Sequence, residues 1–183
     1  MKNEEVKMPT TQDIIQLKAF ARQDALLLGG VWMLSFAFIV MAPRSILGGL
    51  LALSTPFVVA WLLRRFRDKA LDGVISFRRG YAYSVYCFIY ASLLFAVVQY
   101  VYFRFIDGGQ FMQMLTESMK VLTPIYQKNG FNSGELQQAL EEIKSIPPSQ
   151  LVFTLLMQNI FIGLFLSVPI AVILRKVNSQ IEK

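Results

Sequence analysis

The residues best suited to chemistry in this chain are basic side chains gathered in one short segment, residues 64–80, which reads RRFRDKALDGVISFRRG. Six of its seventeen residues are Arg or Lys, and these groups bind phosphates and carboxylates. We call this segment the basic turn and interpret it as a candidate contact surface for anionic lipids or a partner protein. Its candidate contact residues are Arg64, Arg65, Arg67, Asp68, Ser76, Phe77, Arg78 and Arg79.

A second set of polar side chains falls within apolar sequence and forms a candidate intramembrane seam. Tyr83, Tyr86 and Tyr90 recur at spacings of three and four residues, so they share one face of a helix. Buried phenol hydroxyls need hydrogen-bond partners. Candidate partners are Gln99, Gln158 and Asn159, with Ser35, Ser54 and Thr55 as further options. Such groups either hold helices together by hydrogen bonds or line a groove for a lipid or polyprenol, and both interpretations stay open.

Residue types that catalyse reactions or bind metals are scarce. The chain has no histidine, and its single cysteine, Cys87, lies inside an apolar run. No Asp, Glu, Lys or Arg falls within the spans predicted below, whereas proton-coupled carriers and voltage sensors need intramembrane charges. We therefore predict no catalytic residue, no metal site and no cofactor. Cys87 is interpreted as a small buried hydrophobic residue.

Long uncharged runs predict the helices that position these residues. Hydrophobic residues make up 55% of the 183 residues, which is more than a soluble domain usually carries. A helix needs about 20 apolar residues to cross a membrane. Runs of this kind predict four spans, near residues 25–42, 46–63, 81–103 and 151–174. The predicted fold class is all-α, an integral membrane four-helix bundle with a helical extracytoplasmic loop.

The distribution of basic residues predicts the orientation of these spans. Thirteen of the 18 Arg and Lys residues lie in the N-terminal segment, the basic turn and the C-terminal tail. The positive-inside rule then places residues 1–24 and 175–183 in the cytoplasm, and residues 104–150 outside. Residues 25–174 form a single membrane domain in this interpretation. No cleavable signal peptide is predicted, and the basic charge is not taken as a sign of nucleic-acid binding.

The segments outside the spans are also predicted to be helical. Residues 1–24 form an amphipathic lead-in, helical from about Thr11, that lies at the membrane surface or runs into the first span. Residues 104–150 predict two helices, the first ending or bending at Pro124 and the second capped by Asn132. This hairpin either packs over the spans or serves as a lid or a partner-binding cap.

Local signals predict the shape of the basic turn and of one span. Asp72 and Gly73 predict a turn, and Ser76 is placed to cap the helix that follows. Pro56 predicts a kink in the second span and Pro169 one in the fourth.

The basic turn also carries a resemblance to a known family. The residues concerned are Phe-Arg-Asp-Lys at 66–69, Gly-x-Ile-Ser-Phe at 73–77 and the Gly-Tyr pair at 80–81. Over roughly residues 12–176 the chain resembles small four-span membrane proteins of unknown function widespread in Bacteroidota. Members of that family tend to be encoded near polyprenyl-phosphate glycosyltransferases. The resemblance implies a role in envelope assembly at a bacterial inner membrane, and it transfers no catalytic residue.

The leading functional hypothesis is a non-enzymatic inner-membrane protein that acts as a scaffold or accessory subunit in envelope biogenesis. Its expected partners are the lipid bilayer with its anionic lipids, and another membrane protein such as a polyprenyl-phosphate glycosyltransferase. The alternative is an oligomeric membrane protein that transports a solute or handles a lipid or polyprenol. A homo-oligomer is compatible with either hypothesis.

Overall fold

The computed structural model describes residues 11–129 and 133–176, and their regular structure is helical. The α-helices are α1 (Thr11–Met41), α2 (Leu47–Leu53), α3 (Thr55–Ala70), α4 (Phe77–Val101), α5 (Gln110–Lys128), α6 (Ser133–Ser145) and α7 (Pro148–Leu174). A short π-helix, Tyr102–Ile106, continues α4. Because the described ranges contain no strand of a sheet, the prediction of an all-α fold is confirmed.

Several described helices are long and apolar enough to cross a membrane. They are α1, α4 together with its π-helical extension, and α7. The pair α2 and α3 passes the same test jointly but bends by 43° at the break between them. The first, third and fourth predicted spans therefore correspond to single helices. The second is a bent pair, which is either a broken span or a re-entrant loop.

The bend between α2 and α3 lies at Ser54, two residues before Pro56. Proline has no backbone N–H, so it cannot donate to the carbonyl of Ala52 four residues earlier. Next to this break, the Ser54 hydroxyl donates a 2.7 Å hydrogen bond to the carbonyl of Leu51. The kink predicted from Pro56 is confirmed. Helix α7 continues past Pro169, and the kink predicted there stays a prediction.

Residues 11–24 of the predicted lead-in and the first predicted span form one helix, α1. Of the two placements that the sequence left open, the structure has the one in which the lead-in runs directly into the apolar segment. The connection from α1 to α2 is as short as expected, and the Ser45 N–H donates a 2.8 Å hydrogen bond to the Ala42 carbonyl.

The loop helices α5 and α6 pack against each other as the predicted hairpin. However, α5 does not end at Pro124 but continues to Lys128. Because Pro124 has no N–H, the carbonyl of Lys120, four residues earlier, lacks its helical donor. Pro124 and Lys120 are both exposed, so water can donate a hydrogen bond to that carbonyl instead. The predicted cap residue Asn132 lies outside the described residues.

The described chain divides into two compact units. Unit 1 comprises residues 11–29, 55–91 and 160–176, and unit 2 comprises residues 30–54, 92–129 and 133–159. The helices α1, α4 and α7 contribute residues to both units, and the remaining boundary lies between α2 and α3.

Unit 1 has a core built by close helix contacts. At Gly163 of α7, an added Cβ atom would lie 2.5 Å from the ring of Phe88 on α4. Only a glycine permits this approach, because real Cβ contacts are longer. Phe66 of α3 and Tyr83 of α4 are fully buried in the same unit, and their rings stack with centroids 4.6 Å apart.

Unit 2 is organised around an aromatic cluster. The ring of Phe36 on α1 contacts those of Phe95, Tyr102 and Phe103 at centroid distances of 5.1–5.9 Å. Edge-to-face geometry of this kind is the preferred arrangement of aromatic pairs. These contacts fix the end of α4 and its π-helical extension against α1.

Candidate functional site

Asp24 is the most unusual residue in unit 1, because it is a carboxylate that is only 1% exposed near the middle of α1. It shares the buried face of the helix with Leu17, Ala21 and Leu28. Burying an ionised carboxylate costs several kcal/mol unless it is paired and hydrogen-bonded. The surroundings of Asp24 therefore decide whether it is tolerated.

Both carboxylate oxygens of Asp24 are satisfied from neighbouring helices. Arg65 of α3 donates from its guanidinium to Oδ1 and forms an ion pair with it. Tyr83 of α4 donates from its hydroxyl to Oδ2. We call these three residues the Asp24 cluster. The cluster ties α1, α3 and α4 together within unit 1 and removes the net charge of the buried carboxylate.

Aromatic rings hold the Asp24 cluster in place. The ring of Phe66 lies nearly parallel to that of Tyr83, at an interplanar angle of 6°, and it also contacts the ring of Phe20, with centroids 5.2 Å apart. The guanidinium of Arg65 lies 5.2 Å from the ring centre of Trp61, a cation–π distance. Since the Arg65 side chain is 33% exposed, the ion pair reaches the protein surface on one side.

Sequence reasoning missed this cluster, because it treated Asp24 only as the charge that bounds the first apolar run. A usable signal was the helical register. Leu17, Ala21 and Leu28 lie seven, three and four residues from Asp24, so the carboxylate belongs to the apolar stripe of α1. A charge in such a stripe predicts a buried partner.

The basic turn is a folded structure with left-handed backbone at its tip. Asp72 has a φ of 50° and Gly73 a φ of 80°, so the turn predicted at these residues is confirmed. The Gly73 N–H donates to the Arg67 carbonyl at 3.1 Å and closes the end of α3. Ser76 precedes α4, and its hydroxyl accepts a hydrogen bond from the Arg79 N–H at 3.4 Å, which matches the predicted cap.

The basic turn is clamped to the chain that follows α7. Ile75 and Lys176 exchange two backbone hydrogen bonds in an isolated antiparallel bridge, with N···O distances of 2.9 and 3.0 Å. The guanidinium of Arg67 also donates to the Leu174 carbonyl at 3.3 Å. Ile75 is only 2% exposed, so its side chain anchors the bridge in the core.

The predicted contact residues of the basic turn divide into two groups. Arg65, Arg67 and Arg79 are engaged within the protein: Arg65 pairs with Asp24, Arg67 lies 2.7 Å from a carboxylate oxygen of Asp68, and Arg79 contacts Asp13 and Gln16. The second group is exposed and consists of Arg64, Asp68, Ser76, Phe77 and Arg78. Arg64 and Asp68 form a long, exposed ion pair at 3.7 Å, which contributes little stability.

The tyrosines of the predicted seam have different environments. Tyr83 is fully buried, and its hydroxyl partner is Asp24 rather than one of the amide or hydroxyl groups that the sequence suggested. Tyr86 and Tyr90 are half-buried, with ring centroids 6.1 Å apart. The ammonium of Lys18 lies 5.1 Å from the ring centre of Tyr86.

Most of the other residues considered for the predicted seam belong to unit 2. Gln99 is 4% exposed, and its side-chain oxygen accepts no hydrogen bond from the described residues. On α7, Gln158 is exposed and Asn159 is half-buried. Ser35 is satisfied locally, because its hydroxyl donates to the Gly48 carbonyl at 2.7 Å.

Metal-ligating side chains do not gather in the part of the chain that the structure describes. No group of three or more His, Cys, Asp or Glu residues is placed there to hold a metal ion. Cys87 is buried on α4, as predicted.

Comparison with known proteins places this arrangement in a family. A family model described as a protein of unknown function, DUF4199, matches residues 23–176. The chain belongs to the DUF4199 family. The matched region begins one residue before Asp24 and ends at Lys176, so it includes the Asp24 cluster and both sides of the Ile75–Lys176 bridge. No curated protein and no solved structure matches the chain. The sequence predicted membership of a family of proteins of unknown function, and this prediction is confirmed.

Proposed function

We propose that this DUF4199 protein is a non-enzymatic, multi-pass protein of a bacterial inner membrane, with both termini in the cytoplasm. Its role is that of a scaffold or accessory subunit in envelope biogenesis. The orientation is supported by the excess of Arg and Lys in the basic turn and the terminal segments. The absence of histidine from the chain supports a non-enzymatic role.

The observation that carries this proposal is the double backbone bridge between Ile75 and Lys176. A loop that only orients the chain needs positive charge and no fixed shape. The bridge instead holds the basic turn in one conformation against the end of α7. A defined surface of this kind suits a protein partner better than it suits lipid headgroups, which need no fixed geometry.

The chemistry of the partner follows from the side chains that remain free for contact. The exposed basic residues of the turn and of the chain that follows α7 are Arg64, Lys69, Arg78, Arg175 and Lys176. Their charge fits an acidic cytoplasmic segment of another membrane protein, such as a polyprenyl-phosphate glycosyltransferase. Exposed Phe77 adds an apolar contact to this basic surface.

Purification from native membranes in mild detergent tests the scaffold proposal. The wild-type chain should retain one stoichiometric membrane protein of envelope biogenesis, identified by mass spectrometry. The triple variant Arg64→Gln, Lys69→Gln and Arg78→Gln should lose it, and high salt should weaken it because exposed charges are screened. A matched control carries the same charge change in unit 2, at Arg104, Lys120 and Lys128. Equal recovery with both triple variants, or no stoichiometric partner with the wild type, would overturn the proposal.

A second candidate function is transport or lipid handling by an oligomer, and one observation favours it. The Asp24 carboxylate is an ionisable group inside α1, a helix long enough to span a membrane. Intramembrane carboxylates are often functional. Reconstituted into vesicles with a fluorescent phospholipid, the wild type should then accelerate lipid exchange between leaflets. Asp24→Asn should abolish that activity and the exposed control Glu142→Gln should retain it. Exchange no faster than in protein-free vesicles would eliminate this candidate.

A further inference from the structure

Unit 2 contains an open groove that the scaffold hypothesis does not use. Its volume is about 890 Å³, within the range of small-molecule sites. One wall is formed by residues 40–45, which end α1 and make the corner before α2. The other wall is a single face of α5, on which Gln113, Glu117 and Val121 recur every four residues.

The groove carries two opposite charges, and its lining is otherwise a mixture of polar and apolar side chains. Arg44 lies on the corner and Glu117 on α5, and both are exposed. Neither side chain is ion-paired with any residue that the structure describes, so they do not neutralise each other. Met114 and Val121 contribute apolar surface between and beside them. A ligand that suits this lining carries an anion, a cation that can donate hydrogen bonds, and an apolar portion.

The position of the groove in the chain indicates which ligand of this kind would reach it. The corner follows directly after the apolar run of α1, which is long enough to cross a membrane. The groove therefore lies at the level where hydrocarbon gives way to headgroups. Its rim includes two largely exposed apolar side chains, since Met41 is 84% exposed and Val121 is 69% exposed. A soluble zwitterion would gain nothing from this rim, whereas the acyl chains of a lipid would cover it.

From these features we propose that the groove binds a phospholipid whose headgroup carries a phosphate and a primary ammonium, as in phosphatidylethanolamine. The Arg44 guanidinium pairs with the phosphate, a match of planar donors to phosphate oxygens. The Glu117 carboxylate accepts hydrogen bonds from the ammonium, which a quaternary choline group cannot donate. Glu117 thus determines the headgroup preference, and Arg44 supplies affinity for phospholipids in general.

Native mass spectrometry of the full chain tests the assignment, after extraction from nanodiscs that contain equal amounts of phosphatidylethanolamine, phosphatidylcholine and phosphatidylglycerol. The wild type should retain phosphatidylethanolamine over phosphatidylcholine by about tenfold, the ratio expected for one charge-assisted hydrogen-bonding pair. Glu117→Gln should reduce that ratio to about one. Arg44→Gln should lower retention of all three lipids.

Two controls separate the groove from general effects of charge and folding. Glu142→Gln and Lys128→Gln remove exposed charges of unit 2 outside the groove lining and should leave the headgroup preference unchanged. Val121→Trp should fill the groove and displace lipid without altering any charge. This variant tests the groove independently if the Arg44 or Glu117 variant misfolds. Equal retention of the ethanolamine and choline lipids by the wild type, or an unchanged preference in Glu117→Gln, would overturn the assignment.

Discussion

The hydroxyl of Tyr83 donates a hydrogen bond to the carboxylate of Asp24, 59 residues earlier in the chain. The second oxygen of the same carboxylate pairs with Arg65, 41 residues later. Side chains from three helices, α1, α3 and α4, therefore meet at one buried charge. Removing one partner of a buried ion pair costs more stability than replacing both partners with apolar residues, because the remaining charge is left buried without a counter-charge. This asymmetry determines what substitution at each position should do.

Asp24→Asn should strongly destabilise the protein. The asparagine side chain has the same shape but no charge, so the guanidinium of Arg65 loses its counter-ion beside the core. Breaking a buried pair costs about 3–5 kcal/mol, and we expect the lower part of that range because Arg65 is 33% exposed. Thermal unfolding in detergent measures the change. Asp68→Asn is the matched control, since this exposed carboxylate should leave the midpoint nearly unchanged.

Tyr83→Phe should destabilise through the same carboxylate, and a double-mutant cycle isolates the contribution. The variant keeps the ring that stacks on Phe66 and loses only the hydroxyl, so the expected loss is about 1–3 kcal/mol for a hydrogen bond to a charged group. In the Asp24→Asn background the same change should cost much less. Tyr90→Phe, at a half-buried residue of the same helix, serves as the comparison. Additive losses at Asp24 and Tyr83 would show that the two side chains act independently.

The contrast between α1 and the Asp24 cluster shows which features the sequence could predict. Apolar runs are local, so the positions of α1, α4 and α7 could be predicted from run length alone. The partner of Asp24 lies far from it in the sequence, and from the sequence alone any of the six basic residues of the basic turn could have been that partner. Only the packing of α3 against α1 selects Arg65 among them. At Pro124 the sequence left two outcomes open, an end or a bend of α5, and the helix does not end there. The sequence could not decide between them, because at an exposed position water can satisfy the carbonyl that proline leaves without a donor.

Gly163→Ala should destabilise unit 1 by forcing α7 away from α4. The added methyl would lie 2.5 Å from the Phe88 ring, and overpacking of this kind costs about 1–3 kcal/mol. Gly30→Ala is the matched control, because nothing lies within 4 Å of the atom that it would add. That variant should be neutral or stabilising, since alanine favours a helix by up to about 1 kcal/mol over glycine. Equal unfolding midpoints for the two variants would contradict the close contact between α4 and α7.

Cysteine labelling at residues 45, 76 and 118 should determine both the orientation of the chain and the nature of the bent pair α2–α3. The native thiol of Cys87 is buried, and Cys87→Ala removes it from the background. If α2 and α3 form one broken span, Ser45→Cys and Ser76→Cys lie on opposite sides of the membrane. If the pair is re-entrant, both lie on the same side.

We expect an impermeant maleimide to label Ser45→Cys and Ser118→Cys in intact spheroplasts, and Ser76→Cys only after permeabilisation. This pattern follows from the excess of basic residues around the basic turn, which keeps that segment in the cytoplasm. The reverse pattern would place the termini outside and remove the basic turn from any cytoplasmic partner. Labelling of residues 45 and 76 from the same side would reduce the number of spans to three, because α2–α3 would then enter and leave the membrane on one face.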